Sequence, residues 1–240
     1  MHKLYDFMEA RERLGTVIVK TKLIHSPVFS EESGNEVYLK PENLQKTGSF
    51  KIRGAYNKIA KLSDEEKKKG VIASSAGNHA QGVAYAAKKL GIKAVIVMPQ
   101  HTPLIKVEAT RRYGAEVVLH GEVYDDAYKK ALELQKENGY IFVHPFNDEE
   151  VLEGQGTIAL EILDELPNAD IILVPLGGGG LVSGIACAAK LKNPQIKVIG
   201  VEPEGAASAL AALQKGEVVE LKEANTIADG TCLLYTSDAA

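Results

Sequence analysis

Apolar and polar positions follow each other in regular blocks over most of the chain. Short, almost wholly apolar runs are typical of buried strands, and apolar residues recurring every three or four positions are typical of helices. The predicted strands are residues 71–73, 94–98, 116–119, 141–143, 171–175 and 197–201. Predicted helices lie at 5–14, 79–90, 103–113, 123–137, 151–166 and 181–191. This strand–helix–strand order predicts an α/β fold with open parallel sheets covered by helices.

The rhythm is interrupted once, at residues 144–149, where His-Pro-Phe-Asn-Asp-Glu separates a predicted strand from the next helix. Proline and polar residues of this kind mark loops. We therefore expect the chain to pass between two lobes there. The larger lobe would combine residues 1–68 and 148–240, and the smaller lobe would hold residues 69–147.

Composition narrows the class of protein. The chain has 240 residues, 45% hydrophobic and 25% charged, which is ordinary for a globular protein. A net charge of −4 gives no electrostatic argument for binding nucleic acid or an anionic membrane, so neither partner is expected. Cys187 and Cys232 form no C-x-x-C motif and no run approaches transmembrane length, so we expect a reduced, cytoplasmic protein.

Candidate chemistry begins at Lys51, in the stretch Gln-Lys-Thr-Gly-Ser-Phe-Lys-Ile-Arg-Gly (45–54). One apolar helical face follows from the spacing of Ile52, Ala55, Tyr56 and Ile59. With Ser49 as the expected N-cap, Lys51 falls in the first turn, where the helix dipole and the neighbouring Phe50 both lower an amine pKa. A neutral amine attacks aldehydes, so Lys51 is a candidate Schiff-base lysine. The alternative is a solvated lysine on an amphipathic helix.

Gly54 and Ala55 follow on the same helical edge, which small residues leave nearly bare. We expect this edge to leave room for a planar ring against the backbone.

A second motif, Ser-Ser-Ala-Gly-Asn-His at 74–79, lies between a predicted strand and helix. Its small residues expose backbone N–H groups at a helix N-terminus, a site suited to a carboxylate or phosphate. The side-chain amide of Asn78 adds a donor for a phenolate-type oxygen. The alternative is a helix start with ordinary capping. No chemistry is assigned to His79.

Four consecutive glycines, Gly177 to Gly180, also connect a predicted strand to a helix. Such a run costs backbone entropy, and a concave row of N–H groups around a phosphate gives a reason for it. The dinucleotide pattern G-x-G-x-x-G fails, because Val182 and Ser183 stand where its last glycine belongs. No lysine follows as in nucleoside-triphosphate loops. A different phosphorylated cofactor is the better match.

Taken together, these motifs resemble one family. Lys-Thr-Gly-Ser-Phe-Lys-Ile-Arg-Gly, Ser-Ala-Gly-Asn-His-Ala-Gln-Gly and Val-Pro-Leu-Gly-Gly-Gly-Gly-Leu, in this order, are similar to the threonine dehydratase (threonine ammonia-lyase) family of pyridoxal-phosphate enzymes. Further matches are Met98-Pro99, residues 154–157 and residues 226–230. The resemblance covers residues 5–231 and implies the two-lobed fold type II, the tryptophan synthase β-like fold.

The resemblance also implies roles for residues at the matching positions. Lys51 would hold pyridoxal 5′-phosphate covalently and remove the substrate Cα proton, with Phe50 near the cofactor ring. Asn78 would bond the cofactor's 3′-oxygen. The phosphate-binding set would be Gly177, Gly178, Gly179, Gly180 and Leu181. The substrate carboxylate would be bound by Ser75, Ala76, Gly77 and Asn78.

The implied reaction converts L-threonine to 2-oxobutanoate and ammonia, and L-serine to pyruvate. Ala76 favours elimination over racemisation, because serine racemases that resemble this chain carry a proton-donating serine at that position. Their metal site matches at Glu202 and Ala206, but Ser208 replaces its last carboxylate, and no metal is predicted. Relatives are commonly homo-oligomers, so the full-length form is expected to be one.

Other interpretations remain open. Serine racemase and a β-replacement enzyme similar to cysteine synthase use the same cofactor. A non-catalytic dinucleotide-binding or regulatory module is the alternative from another class. Family members continue well past residue 240, and the segment after Thr231 departs from their pattern. We therefore expect a C-terminally truncated member, which can be an inactive fragment, and no residue here is assigned to the cofactor's pyridine nitrogen.

Overall fold

A computed structural model describes residues 2–231 of the chain. Within them, the helices are α1 (Leu4–Leu14), α2 (Pro27–Ser33), α3 (Lys51–Ala60), α4 (Asp64–Lys69), α5 (Asn78–Leu90), α6 (Leu104–Arg112), α7 (Tyr124–Asn138), α8 (Glu149–Glu165), α9 (Gly180–Lys192) and α10 (Ser208–Lys215). The strands are β1 (Ile24–His25), β2 (Tyr38–Leu39), β3 (Val71–Ser74), β4 (Ala94–Met98), β5 (Glu116–Leu119), β6 (Ile141–Phe142), β7 (Ile171–Pro175) and β8 (Lys197–Val201).

Two sheets are parallel, as the strand–helix rhythm predicts. The larger has the order β5-β4-β3-β6, and β7 pairs with β8 in the other. The α/β prediction is confirmed. The two-residue strands β1 and β2 form a separate antiparallel pair that the sequence pattern did not predict.

The four-stranded sheet is covered on both faces. Every residue of β3 and β4 is buried. On one face, Val71 and Ile96 belong to a core cluster with Val83 of α5. On the other, Ile72 packs in a cluster with Ala127 of α7. Continuous apolar strands are expected where both faces lack water, and the prediction is confirmed for the central strands β3 and β4, whereas the edge strand β5 is exposed at both ends.

The β7–β8 sheet differs, and the prediction of two covered faces is wrong for the part of the chain that the structure describes. Ile172 and Val174 of β7 are buried in a cluster with α8 and α9. Their neighbours Ile171 and Leu173 are 51% and 66% exposed. Since side chains alternate between faces, the helices cover one face and the described residues leave the other face open.

Helix α8 is the central spacer of the molecule. Nearly all of it is buried, and it packs against α3 on one side and α9 on another. Glycines allow the backbones to meet. A Cβ on Gly154 would lie 2.6 Å from the Cα of Gly54 in α3, and a Cβ on Gly156 would lie 2.6 Å from the carbonyl oxygen of Gly184 in α9. Consequently, α8 fixes the spacing between α3 and α9 by main-chain contact.

A buried ionic network adds to the α3–α8 contact. Arg53, fully buried, donates to Glu161 of α8 at 2.7 and 2.9 Å and to Glu42 at 2.8 and 2.9 Å. Thr157 accepts a further bond at 3.1 Å, and Lys40 donates to Glu161 at 2.6 Å. The two carboxylates hold the pKa of the Arg53 guanidinium above its usual value despite burial. This network ties the lysine helix to its neighbour.

The division into two lobes stays a prediction. The four-stranded sheet is built from residues 71–142, and the second parallel sheet from residues 171–201. The predicted crossing at 144–149 falls on the connection from β6 to α8 and includes the first residue of α8. No helix within residues 2–231 has both the length and the apolar character needed to cross a lipid bilayer.

Candidate active site

Lys51 is the first residue of α3. The predicted N-cap, Ser49, is wrong by one position, because Phe50 occupies the cap and makes no side-chain capping bond. The backbone of Phe50 already lies in the helical region, with φ −61° and ψ −17°, which displaces Ser49 from the cap. The hydroxyl of Ser49 still accepts a 3.4 Å hydrogen bond from the Lys51 N–H. Lys51 therefore lies in the first turn, as expected.

The Lys51 side chain is half-buried, and its amine has lost much of its contact with water. Its Nζ donates to the carbonyl oxygen of Pro145 at 2.9 Å and lies 5.3 Å from the centre of the Phe50 ring. Desolvation by burial lowers the pKa of Lys51 from its usual value of 10.5 to about 8. The direction agrees with the sequence-based expectation, and desolvation is its cause. An amine of this kind carries a useful neutral fraction near neutral pH.

The expectation that Gly54 leaves space for a flat ring is wrong. A Cβ at Gly54 would lie 2.7 Å from the carbonyl oxygen of Val151 and 2.7 Å from Nε2 of Gln155, both in α8. The bare edge therefore serves helix packing. A sequence shows that an edge is small, but only the three-dimensional neighbour shows what fills it.

The four-glycine loop joins β7 to α9, and Gly179 is the N-cap with φ 90°. Its shape depends on missing side chains. A Cβ at Gly178 would overlap the ring of Phe146, and one at Gly180 would lie 2.8 Å from the Phe146 Cα. Because the first N–H groups of a helix have no partner within the helix, this 13-residue helix presents an anion-binding end.

Lys51 and the glycine loop line one cleft with about 420 Å³ of empty space, part of it open to solvent. The lining comprises Phe50, Lys51, Phe146, Pro175, Gly177, Gly178, Gly179, Gly180, Leu181, Gly230 and Thr231. All predicted lysine-side and phosphate-side residues are in this set.

Phe146 lines the cleft although nothing in the sequence pattern predicts it there. It lies in the interrupted stretch, for which the sequence predicts only a passage between lobes, and only its contact with Gly178 and Gly180 reveals its place. Gly230 and Thr231 also line the cleft. Gly230 belongs to a motif that carries the family resemblance, and this was the available signal.

The predicted carboxylate site, Ser75 to Asn78, is not part of that lining. Ser75, Ala76 and Gly77 are half-buried, Asn78 is exposed, and Ser75 accepts a 3.2 Å bond from the Gly77 N–H. Asn78 begins α5, whose Gly82 packs so closely on α3 that a Cβ there would lie 3.1 Å from the Lys51 carbonyl. The loop thus stands at the N-terminus of a helix packed on the lysine helix, and its roles stay predictions.

Two histidines share the electrostatic environment of Lys51. Burial, with a smaller effect of the Lys51 charge, lowers the pKa of His79 to about 3 and that of His144 to about 4. His79 Nε2 lies 2.8 Å from the Val143 carbonyl oxygen, and Nδ1 has no hydrogen-bond partner among the described residues. Both rings are neutral at pH 7.

Glu202 has a structural partner. Its carboxylate accepts the N–H groups of Ala209 and Leu210 at 2.8 and 2.9 Å, near the N-terminus of α10. Ser208, at the position where the resemblance requires a carboxylate, is buried. Glu202, one of the two residues that match the metal site, is thus engaged in capping a helix.

The cleft suits a molecule with an aldehyde at one end and a phosphate at the other. A desolvated amine stands on one wall, and a loop where Cβ atoms do not fit presents a helix N-terminus on the other. These two features are what pyridoxal 5′-phosphate requires for covalent attachment and for anion binding.

Known proteins resemble the chain throughout. The family model described as "Pyridoxal-phosphate dependent enzyme" matches residues 15–236. An L-threonine ammonia-lyase of Thermotoga maritima is 53% identical over 238 residues, covering 99% of this chain and 59% of that protein. The chain thus spans little more than half of this curated relative's length.

Solved structures agree. Threonine deaminase isoform 2 from Solanum lycopersicum has a TM-score of 0.92 and 42% identity, covering 98% of this chain and 64% of that one. Maize serine racemase has a TM-score of 0.95 and 38% identity, covering 99% and 72%.

The matched range ends at residue 236, beyond Thr231, where sequence analysis ends the resemblance. The segment 232–240 lies outside the described residues. With the family model matching most of the chain, the dinucleotide-binding interpretation is set aside. The chain belongs to the family of pyridoxal-phosphate dependent enzymes, with the fold type II architecture that its motifs predict.

Proposed function

We propose that the protein is a pyridoxal-phosphate lyase that deaminates L-threonine to 2-oxobutanoate and ammonia, and L-serine to pyruvate. One observation carries the proposal: the desolvated Lys51 amine and the four-glycine loop line the same cleft. The printed name of the Thermotoga maritima relative supports the reaction and the substrate.

The glycine loop would hold the phosphate of the cofactor. Gly177 to Leu181 would do so through main-chain N–H groups, since no cationic side chain lines this cleft except Lys51 among the described residues. The α9 N-terminus contributes its partial positive charge. Phe146, which packs against Gly178 and Gly180, holds the loop in shape.

Lys51 would hold the cofactor and would take up the substrate Cα proton at Nζ. A pKa of about 8 lets the same amine act in both its neutral and protonated forms near physiological pH. Phe50 would lie along the cofactor ring. When bound, pyridoxal phosphate supplies an electron sink for the electrons released from Cα.

The substrate carboxylate is assigned to Ser75, Ala76, Gly77 and Asn78. Their backbone N–H groups stand at the N-terminal end of α5, where an anion is favoured. Asn78 would also donate to the cofactor's 3′-oxygen. Its exposed side chain is available for this bond.

Serine racemase is the second candidate, favoured by the 0.95 TM-score with the maize enzyme. The side chain of Ala76 argues for elimination, because a methyl group cannot return a proton to Cα. A β-replacement enzyme and an inactive fragment are further outcomes that the experiment distinguishes.

The test uses the 240-residue chain with added pyridoxal phosphate. Borohydride reduction should place the cofactor mass on the Lys51 peptide, and a keto-acid assay should detect 2-oxobutanoate from L-threonine and pyruvate from L-serine. The Lys51→Arg variant is the matched control and should give neither adduct nor product. D-serine formed at a rate near that of pyruvate would support a racemase. An adduct without keto acid would support β-replacement or an inactive fragment.

Three wider features belong to this proposal. The larger lobe would comprise residues 1–68 and 148–240, and the smaller lobe residues 69–147. We place the enzyme in the cytoplasm, which agrees with the free thiol of Cys187. The full-length protein would be a homo-oligomer, and light scattering after size-exclusion chromatography would measure its mass.

A further inference from the structure

The segment from His144 to Asn147, which joins β6 to α8, is folded around one imidazole ring. His144 Nδ1 accepts the Asn147 N–H at 2.8 Å and the Phe146 N–H at 3.3 Å. An imidazole nitrogen that accepts hydrogen bonds carries no proton, so the ring is neutral with its proton on Nε2. The ring also stands edge-on to Phe146, with centroids 4.8 Å apart.

This segment, here called the imidazole loop (144–147), touches both walls of the cleft. Its Pro145 carbonyl accepts the 2.9 Å bond from Lys51 Nζ. Its Phe146 fills the space that side chains at Gly178 and Gly180 would occupy. A single short loop is therefore in contact with the amine and with the anion-binding turn.

We propose that His144 is a positioning residue that sets the location of the Lys51 amine relative to the glycine loop by holding the imidazole loop in its folded shape. This inference rests on the proposed function, because the distance between the Lys51 amine and the glycine loop matters only if pyridoxal phosphate has to span it. His144 itself need not touch substrate or cofactor.

Charge gives the reason for a neutral ring here. Within residues 2–231, the titratable groups with which His144 interacts are Lys51 on α3 and His79 on α5. Desolvation, followed by the Lys51 charge, lowers the pKa of His144 to about 4. A protonated ring would lose its acceptor at Nδ1 and would repel Lys51. The fold therefore keeps the acceptor available throughout the neutral pH range.

Three substitutions separate positioning from packing. In His144→Asn, the side-chain oxygen takes nearly the place of Nδ1 and forms the local turn that asparagine favours. In His144→Gln, the same amide lies one carbon further out. In His144→Leu, the acceptor is absent. A thermal unfolding curve for each variant reports its packing.

Two readouts follow the position of Lys51. Competitive labelling of lysines with formaldehyde and cyanoborohydride gives the pKa of Lys51 without any cofactor. The rate at which Lys51 captures pyridoxal phosphate depends on the position of its Nζ relative to the glycine loop. A displacement of about 1 Å can slow such a step by about 100-fold. For His144→Leu and His144→Gln, we expect capture to slow by about 10- to 100-fold and the Lys51 pKa to move from about 8 toward 10.5 as water enters.

His144→Asn should keep the capture rate within about threefold of the wild-type rate. Its Lys51 pKa should stay within a few tenths of the wild-type value. The inference is overturned if His144→Gln and His144→Leu, although folded, keep the wild-type pKa and capture rate. It is also overturned if His144→Asn is impaired as much as the other two. If the leucine variant does not fold, the asparagine–glutamine pair decides. If the proposed function is wrong, the wild-type protein will not capture pyridoxal phosphate. In that case the Lys51 pKa, measured by labelling in the wild type and the variants without cofactor, still tests the role of His144.

Discussion

The lowered pKa of Lys51 predicts a measurable increase in the reactivity of one amine among the many lysines of the chain. At pH 7, an amine with pKa 8 is about 9% neutral, whereas one at the usual 10.5 is about 0.03% neutral. The neutral fraction of Lys51 is therefore about 300-fold greater than that of an ordinary lysine. This increase comes from desolvation in the cleft, before any cofactor is present.

The assay is competitive labelling with formaldehyde and cyanoborohydride, followed by peptide mass spectrometry from about pH 6 to about pH 11. Lys51 labelling should rise about tenfold per pH unit and then level off above pH 8. Lys93 is the internal comparison, because hydrogen bonds with Tyr140 and Glu116 raise its pKa above the usual value. Its labelling should still be rising where that of Lys51 is constant.

The Lys51→Arg variant identifies the peptide, since arginine does not react. If Lys51 titrates alongside the ordinary lysines, near pH 10.5, burial does not activate this amine and the argument from desolvation is refuted. A plateau near pH 8 that disappears on denaturation would locate the effect in the fold.

Four further results are expected. Gly184→Ala should lower the free energy of unfolding by about 1–3 kcal/mol in denaturant titrations, because its Cβ would overlap the carbonyl oxygen of Leu152 and lie 2.9 Å from the Gly156 nitrogen, both in α8. Gly77→Ala is the control and should change this free energy little, because a Cβ at Gly77 has nothing within 4 Å. Arg53→Met removes the guanidinium that pairs with the buried Glu161 and the half-buried Glu42 and leaves only Lys40 beside Glu161, so urea titration should show a loss of up to about 3–5 kcal/mol. The pKa of His79 is about 3 in the folded protein and 6.5 in its ordinary state, so the neutral ring stabilises the fold above pH 6.5. As the pH falls from 6.5 toward 3, the free energy of unfolding should decrease by up to about 5 kcal/mol. In His79→Phe, this pH dependence should be weaker. Ala76→Ser should raise Cα deuterium exchange and D-serine formation from L-serine, measured by chiral chromatography, and an unchanged product ratio would contradict the role given to this position.

The strands of the two parallel sheets could be predicted because each is a short, almost continuous apolar run, which is a local signal. The observed bounds of β4, β5, β7 and β8 coincide with the predicted residues 94–98, 116–119, 171–175 and 197–201. Two-residue strands such as β1 are too short for any periodicity, and α2 has no buried residue to mark a face. Neither could be found by pattern.

The candidate site divides in the same way. Lys51 and the four glycines were visible in sequence, because unusual residues at helix starts carry chemical meaning. Phe146 was not, since its role depends on a contact with glycines more than thirty positions away. Ser49 and Gly54 show the opposite failure, because a local rule predicted a role that their surroundings exclude. The helical backbone of Phe50 displaces Ser49 from the N-cap, and α8 occupies the space beside Gly54.

The glycine contacts along α8 have an evolutionary and practical consequence. Because Gly54 meets Gly154 and Gly156 meets Gly184 through main-chain atoms, the span from the amine to the anion-binding turn is insensitive to which apolar residues fill the surrounding core. Apolar core residues can therefore change during evolution while the distance across the cleft, and so the length of the molecule that fits it, stays constant. An engineer who wants to admit a longer or shorter cofactor would therefore have to alter these crossing points, since changing the cleft lining alone would leave the span as it is.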